Sequence, residues 1–404
     1  MIYLEIPKKL KPLAMQAHQV AKGVFRPISR KYDRLEHEYP KELKLLGAAM
    51  RGMSEAGATQ GAGASALSAK VEDSGSKAIR NGGNMATMLG MLELCWGDIG
   101  LALSIPGQGL GNAAIDAVAT PEQKARFGGK WAAMAITEPN AGSDSAAILA
   151  TAKLDGEEWV LNGEKIFVTA GERCDVVVVW ATLDPALGRA AMKSFVVEKG
   201  TPGMRVSRLE KKMGIRSSDT ATLVFEDCRI PKDNILGSAE VDPKKGFAGA
   251  MQTFDNTRPL VAAMSLGVAR ASLERTREIL ERDGVRLNYG GSLITKSAIE
   301  AELIRLEAEL EAAYLLTIRA AWMADNRKPN SMEASMAKAK AGRVGNMITL
   351  RCVELCGSVG YGEDELLEKW ARDSKILDIF EGTQQIQLLV VARRLLDLSS
   401  AELR

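Results

Sequence analysis

The stretch Asp373-Ser374-Lys375-Ile376-Leu377-Asp378-Ile379-Phe380-Glu381-Gly382-Thr383-Gln384-Gln385-Ile386-Gln387 places a turn, Phe380 to Thr383, ahead of an apolar-periodic C-terminal helix spanning Ile386 to Leu398. Far upstream, Ala135-Ile136-Thr137-Glu138-Pro139 marks a second turn, followed by Gly142-Ser143-Asp144. Between them stand Asn162-Gly163-Glu164-Lys165-Ile166-Phe167-Val168-Thr169 and Phe254-Asp255-Asn256-Thr257-Arg258-Pro259. Any one of these segments is weak; several in fixed order across about 250 residues form a constellation. A lone glutamate reads as a solvated surface charge, but Glu381 stands beside Gly382, whose missing side chain lets other groups approach the backbone closely.

Outward from these segments, the chain changes character twice. Residues 10 to 130 carry helical periodicity, with Leu89, Leu92, Cys95 and Trp96 on one face. The stretch from Gly52 to Gly83 interrupts it with Gly, Ala and Ser, a composition that buries little, and it reads as a long loop, linker before site entrance. From Trp131 to about Gly237 come strands: Val176 to Trp180, Ser194 to Glu198 and Thr222 to Glu226 are β-rich runs separated by Gly, Asp and Pro. No helix-length pattern lies between them, which favours an antiparallel β-domain over a Rossmann unit. From Phe247 long amphipathic helices return, with Leu303, Leu306, Leu310 and Tyr314 on one face. A break at Asn326 to Asn330 and further helices over Ser331 to Leu355 and Ile386 to Leu398 complete a bundle. The expected fold is mostly α with a central β-domain, divided as 1–130 (helical), 131–240 (β) and 241–404 (helical bundle).

Composition excludes several functions. The 53 basic and 51 acidic residues are spread along the chain and leave a net charge of +2, without the one-sided basic surface that nucleic acid demands. Five cysteines without Cys-x-x-Cys spacing read as small buried hydrophobes, not as a disulfide framework. Two histidines, His18 and His37, both near the N-terminus, argue against a metal site and a Ser-His-Asp triad. The N-terminal apolar run is short and interrupted by Glu5, and no run of about 18 apolar residues occurs, so a soluble cytoplasmic protein is the expectation.

The ordered motifs resemble those of the acyl-CoA dehydrogenase family, over most of the chain. The resemblance implies an N-terminal helical domain, an antiparallel β-barrel-like middle domain and a C-terminal four-helix bundle. It also implies FAD as cofactor and removal of the α and β hydrogens of an acyl-CoA thioester, with electrons passed to an electron-transferring flavoprotein. Glu381 falls at the family's commonest base position; Thr257 occupies the alternative position used by some members, and threonine cannot act as a base at neutral pH. A carboxylate enclosed between flavin and acyl chain is expected to have its pKa raised by desolvation. The resemblance places Met134, Ile136, Thr137, Ser143, Phe167, Val168, Thr169, Thr383 and Gln385 against the flavin, with Phe167 where tryptophan is common. It gives Ser143, Asp255, Arg258 and Gly382 to the acyl-CoA. Read without the family, Asp255 is a helix N-cap and Val168 a buried strand residue; Arg258, beside a proline at a helix start, needs a partner, for which the Glu381 loop is the candidate.

Departures cluster where the family holds the ADP half of FAD across a subunit interface. Arg286, Asn288, Ser297, Glu354, Gly357 and Ser358 fall at these positions, in an altered Arg286-Leu287-Asn288-Tyr289-Gly290, a Lys296-Ser297 pair and a Glu354-Leu355-Cys356-Gly357-Ser358 run. Glu354 stands where a neutral amide would face a diphosphate, and pairing with Lys296 is the expected compensation. In the acyl pocket, Ala102, Leu103, Pro106 and Phe380 match the family's lining positions, and Pro106 indicates a kinked or shortened helix. The expected assembly is a dimer of dimers. One alternative is a heteromer in which a related chain completes the FAD site; another is an oxygen-using acyl-CoA oxidase.

Overall fold

The computed structural model describes residues 6–48, 82–107, 109–241, 248–399 and 402. Val176 to Val179, β-branched and suited to extended backbone, lie in a strand buried along its whole length. The strands are β1 (Ala132–Ala135), β2 (Thr151–Asp155), β3 (Glu158–Thr169), β4 (Val176–Thr182), β5 (Met192–Glu198), β6 (Met204–Leu209) and β7 (Thr220–Pro231). Their order is β1-β4-β2-β3-β7-β6, with β5 also on β4. The pairs β2–β3, β3–β7, β6–β7 and β4–β5 are antiparallel, as the sequence indicates. β1 and β2 meet β4 in parallel, so the sheet is mixed.

The reason β4 reads as an unbroken apolar run is that both its faces are covered. Val177 and Val179 pack with Ala133, Ala135, Phe195 and Leu223 inside the curled sheet. Val176 and Val178 point the other way, onto Ile115 and Phe127 of two short helices.

The N-terminal helices are α1 (Lys11–Val20), α2 (Arg26–Arg34), α3 (Gly83–Gly97), α4 (Ile99–Leu103), α5 (Leu110–Val118) and α6 (Pro121–Phe127). After the sheet come α7 (Ala248–Arg282), α8 (Ala298–Asp325), α9 (Ser331–Leu355), α10 (Gly357–Tyr361), α11 (Leu367–Ser374) and α12 (Gln384–Leu396). α9 packs against α7, α8 and α12, and α3 lies along α7, so one apolar core runs through both helical regions. The approach of α3 to α7 is close enough that a Cβ on Gly267 would sit 2.3 Å from the Leu92 carbonyl oxygen. Helix α4 ends at Leu103, ahead of Pro106, as the proline indicates.

Two expectations need correction or fall away. Asp255 is not an N-cap: α7 already runs from Ala248 and carries Pro259 in its interior, so the signal of an acidic residue before a proline misplaces the helix start. The side chain of Asp255 lies outside the described residues, as do residues 52–81 of the Gly-rich stretch, while Gly83 already belongs to α3.

A buried charge cluster fixes the approach to the C-terminal turn. Lys369 donates to Asp98 (2.7 Å) and to Asp373, and all three side chains are buried. Asp98 also caps α4 through Leu101 N (2.8 Å), and Asp373 accepts from Ile215 N (2.6 Å) in the β6–β7 connection. α11, which leads into the Glu381 turn, is thereby tied to the helical region and the sheet together. No described helix is long and apolar enough to cross a membrane. Cys95, Cys174, Cys228 and Cys352 are buried and Cys356 half-buried, none in a disulfide.

Candidate active site

The turn between α11 and α12 is built from two successive left-handed residues, Glu381 (φ 56°) and Gly382 (φ 85°). For a glutamate this conformation costs on the order of 1–3 kcal/mol, so its surroundings must impose it. Three donors do so. Gln387, fully buried on the first turn of α12, donates through Nε2 to the Glu381 carbonyl (2.9 Å) and the Gly382 carbonyl (3.2 Å). Lys338 of α9 donates through Nζ to the Gly382 carbonyl at 2.7 Å. Thr383 N-caps α12, its hydroxyl accepting from Ile386 N (3.3 Å). A Cβ at 382 would also displace the Gln387 amide, whose Nε2 it would meet at 2.5 Å.

The Glu381 carboxylate is half-buried, and its Oε2 accepts from the Thr257 hydroxyl at 2.7 Å. Burial pushes its pKa above the ordinary carboxylate range, as the sequence reading expects; the Thr257 hydrogen bond and the Arg258 and Lys338 charges pull against that rise. Arg258, buried in α7 next to Thr257, donates through Nη1 to Ser335 Oγ (3.3 Å). Its charge bears on the Glu381 turn, although Arg258 sits within a helix and not at its start.

A second locus forms where β1 ends. Ile166 N donates to the Thr137 carbonyl (2.9 Å), which sets Thr137 beside Phe167. Lys165 Nζ, fully buried, donates to Glu138 Oε1 (2.7 Å) and to the Ile136 carbonyl (3.1 Å). Glu138 in turn accepts from Leu149 N (2.6 Å) and Ala150 N (2.9 Å), so one buried ion pair joins both upstream motifs and the loop after them. Burial pushes the Lys165 ammonium down to about 8 against the pull of Glu138. Met134, Ile136, Thr137 and Thr169 are half-buried, and Ser143 is exposed. Val168 faces the sheet core, leaving only its backbone for a ligand. Phe167, held at φ 55°, is 59% exposed, its aromatic face open to solvent.

The remaining positions are on the outer side of the bundle. Arg286, Asn288, Glu354, Gly357, Ser358 and Gln385 are exposed. Asn288 N donates to Glu300 Oε1 (2.7 Å), and the Ser297 hydroxyl caps α8 by accepting from Glu300 N (3.2 Å). The expected pairing of Lys296 with Glu354 does not form within the chain. Lys296 donates to the Asn288 and Gly290 carbonyls, and Glu354 pairs with Arg351, three residues before it in α9. The side-chain stock here, an exposed Arg286, the Asn288 amide and the Ser358 hydroxyl beside a left-handed Gly357, suits a polar dinucleotide half, while Phe167 and Thr169 suit a flavin ring; the two groups together fit FAD. Among the described residues no hydrogen bond or ion pair connects this outer group with the β1–β3 locus.

Sequence reasoning did not identify Lys338, Gln387 or the Glu138–Lys165 pair. The signal for the last was available: both residues sit inside motifs already singled out, with opposite charges in segments that read as buried strand. Lys338 also had a signal, since it shares a helix face with Ala334, Ala337 and Ala341, all buried.

Known proteins locate this arrangement. The description "acyl-CoA dehydrogenase, middle domain" matches residues 133–228, and "acyl-CoA dehydrogenase, C-terminal domain" matches residues 244–396. The chain belongs to the acyl-CoA dehydrogenase family, whose members are FAD-dependent oxidoreductases. It is 41% identical over 283 residues to the mitochondrial short-chain specific acyl-CoA dehydrogenase of Bos taurus, spanning 69% of this chain and about two thirds (67%) of that protein's length. It is 33% identical to the acryloyl-CoA reductase (NADH) of Anaerotignum propionicum over 94% of this chain and 92% of the relative. Among solved structures, butyryl-CoA dehydrogenase of Megasphaera elsdenii superposes with a TM-score of 0.82 at 30% identity, covering 98% of this chain and all of that one.

Proposed function

We propose that this chain catalyses the α,β-dehydrogenation of an acyl-CoA thioester to the trans-2-enoyl-CoA, with Glu381 as the base. The observation that carries the reading is the Glu381 carboxylate itself: half-buried, held on a left-handed turn, pushed up by burial, and hydrogen-bonded by Thr257 at 2.7 Å. A carboxylate desolvated in this way is a stronger base than one in water, as removal of a weakly acidic α proton requires. The same proton transfer also needs the thioester carbonyl polarised by hydrogen bonds. Ser143, Asp255, Arg258 and Gly382 are assigned to the acyl-CoA. When bound, FAD supplies the acceptor for the β hydride. Met134, Ile136, Thr137, Ser143, Phe167, Val168, Thr169, Thr383 and Gln385 are assigned to its ring and linker, and Arg286, Asn288, Ser297, Glu354, Gly357 and Ser358 to its ADP half. Electrons leave to an electron-transferring flavoprotein.

The names of the bovine and Megasphaera relatives support a short acyl chain, and the partly buried Phe380, packed against the helical core just before the base, supports a shallow pocket. Three units, 1–130, 131–240 and 241–404, assemble as a dimer of dimers. Arg351 neutralises Glu354 within α9, which supports copies of this chain, without a second related polypeptide, holding the ADP half. The test is anaerobic addition of acyl-CoA thioesters of increasing length to the purified flavoprotein. Bleaching of the visible flavin band by a short acyl-CoA, lost in Glu381→Gln with flavin retained, supports the reading; bleaching that survives in Glu381→Gln refutes the assigned base.

A further inference from the structure

We infer that Lys338 is the positioning residue of the base: from α9 its ammonium holds the Gly382 carbonyl, keeps the Glu381–Gly382 turn in its left-handed form, and presents a fixed positive charge to the carboxylate. This inference rests on the reading of Glu381 as the base.

The geometry is unusual for a lysine. Lys338 is 1% exposed, and no described carboxylate lies within ion-pair distance of its Nζ. A buried ammonium is ordinarily matched by a carboxylate, as Lys165 is by Glu138 and Lys369 by Asp98 and Asp373. Lys338 instead donates to a neutral carbonyl, that of the residue after the base, at 2.7 Å. Gln387 already donates to the same carbonyl at 3.2 Å, so a neutral amide is present to satisfy the oxygen. What the lysine adds is a stronger, charge-assisted bond and a charge.

The charged groups that face Lys338 are Asp378 in the turn before the loop, Glu381, and Arg258 from α7. Burial and Arg258 push the ammonium down to about 8, while Asp378 and Glu381 oppose that shift. Below that pH the ammonium bears on Glu381 in the direction that favours its ionised form, together with Arg258 and the Thr257 hydroxyl. The charge and the clamp therefore act on the same residue, one on its ionisation and one on its backbone.

Two consequences separate positioning from mere packing. Loss of the charge moves the acid limb of the kcat profile upward, because the carboxylate loses a cation that favoured its ionised form. Loss of the clamp lowers kcat more than it changes KM, since a misplaced base impairs proton abstraction and leaves CoA binding alone; a displacement of about 1 Å is worth up to roughly 100-fold.

The experiment uses the full-length flavoprotein with Lys338→Met, Lys338→Gln and Lys338→Arg. Measured are flavin content, pH profiles of kcat and KM with a short acyl-CoA, and α-proton exchange into D2O of an acyl-CoA analogue blocked at the β carbon. Expected for Lys338→Met is a fall in kcat and exchange of roughly tenfold or more, an acid limb displaced upward, and KM within about threefold. Lys338→Gln keeps a donor and lacks the charge: its limb shifts upward and its plateau kcat stays nearer the parent. Lys338→Arg keeps the limb in place. Should Lys338→Met not fold, Lys338→Gln and Lys338→Arg carry the decision. Flavin-replete Lys338→Gln with an unmoved limb overturns the inference, as does a limb that shifts equally in Lys338→Arg. Failure of the parent reading looks different: α-proton exchange then persists in Glu381→Gln, whatever the lysine variants do.

Discussion

The Thr257 hydroxyl donates to Glu381 Oε2 at 2.7 Å, across 124 positions of sequence. The two positions that the sequence resemblance reads as alternative base positions thus touch: one carries the carboxylate and the other a hydroxyl that donates to it. A hydrogen bond to a charged group contributes about 1.5–3 kcal/mol when buried, and less at a half-buried site such as this. Thr257→Val removes a donor that favours the ionised carboxylate, so the pKa of Glu381 rises further. The acid limb of kcat is expected to move upward by about one pH unit, equivalent to roughly 1.4 kcal/mol, with Thr257→Ser close to the parent. An unmoved limb in Thr257→Val shows that the hydroxyl does not act on the base during turnover.

The Glu138–Lys165 pair is expected to be a structural keystone of the flavin-side locus. Both side chains are buried, and Lys165 also holds the Ile136 carbonyl. Lys165→Met leaves Glu138 as an uncompensated buried charge, and its two backbone donors only partly offset that. Loss of about 3–5 kcal/mol is expected in urea unfolding, together with weaker flavin binding. A change under about 1 kcal/mol indicates that water or proton uptake by Glu138 replaces the lysine.

Alkaline stability has a sign that follows from the buried groups. Lys165 and Lys338 are pushed down to about 8, from an ordinary 10.5. Above pH 8 the folded chain has released these protons while the unfolded chain keeps them until about 10.5, so both groups make stability rise with pH in that window, by up to about 1.4 kcal/mol per pH unit each. The buried thiols act in the opposite sense. All five cysteines are pushed above their ordinary 9.0 by burial, so past pH 9 the unfolded chain ionises first and stability falls. Urea midpoints are expected to rise or hold from pH 7.5 to 9 and then decline. A monotonic fall from pH 7.5 shows that the two lysines are protonated normally in the fold.

Much of this is legible in the sequence, and what is not has identifiable causes. The Val176–Val179 run announced a strand, and Glu381-Gly382-Thr383 announced a turn before a helix, because local backbone preference and function agree there. The parallel contacts of β4 with β1 and β2 were not readable, since apolar alternation fixes which face is buried and says nothing of strand direction. The start of α7 was misread because Asp255 and Pro259 imitate a helix N-terminus, whereas packing along α3 carries the helix through the proline. Lys338 is distinguished only by its helix-face neighbours: in Ala337-Lys338-Ala339-Lys340 the two lysines look alike locally, yet Lys340 reaches out to Glu309 while Lys338 turns inward under the turn.

Phe167 offers a test that separates holding a ligand from holding the fold. Its ring is 59% exposed, so truncation to alanine removes little buried area and leaves no cavity. The residue sits at φ 55°, a strained conformation that alanine shares, so the backbone term is nearly unchanged. Apoprotein stability is therefore expected to stay within about 0.5 kcal/mol of the parent. Flavin affinity should behave differently, because a ring stacked on a planar partner contributes about 0.5–1.5 kcal/mol beyond its area. Phe167→Ala is expected to weaken FAD binding by roughly tenfold, and Phe167→Trp to preserve it. Titration of the apoprotein with FAD, followed by flavin fluorescence, reads the difference. Equal affinities in parent and Phe167→Ala would mean that the exposed ring serves another surface, and that the flavin is held from the Thr137 and Thr169 side alone.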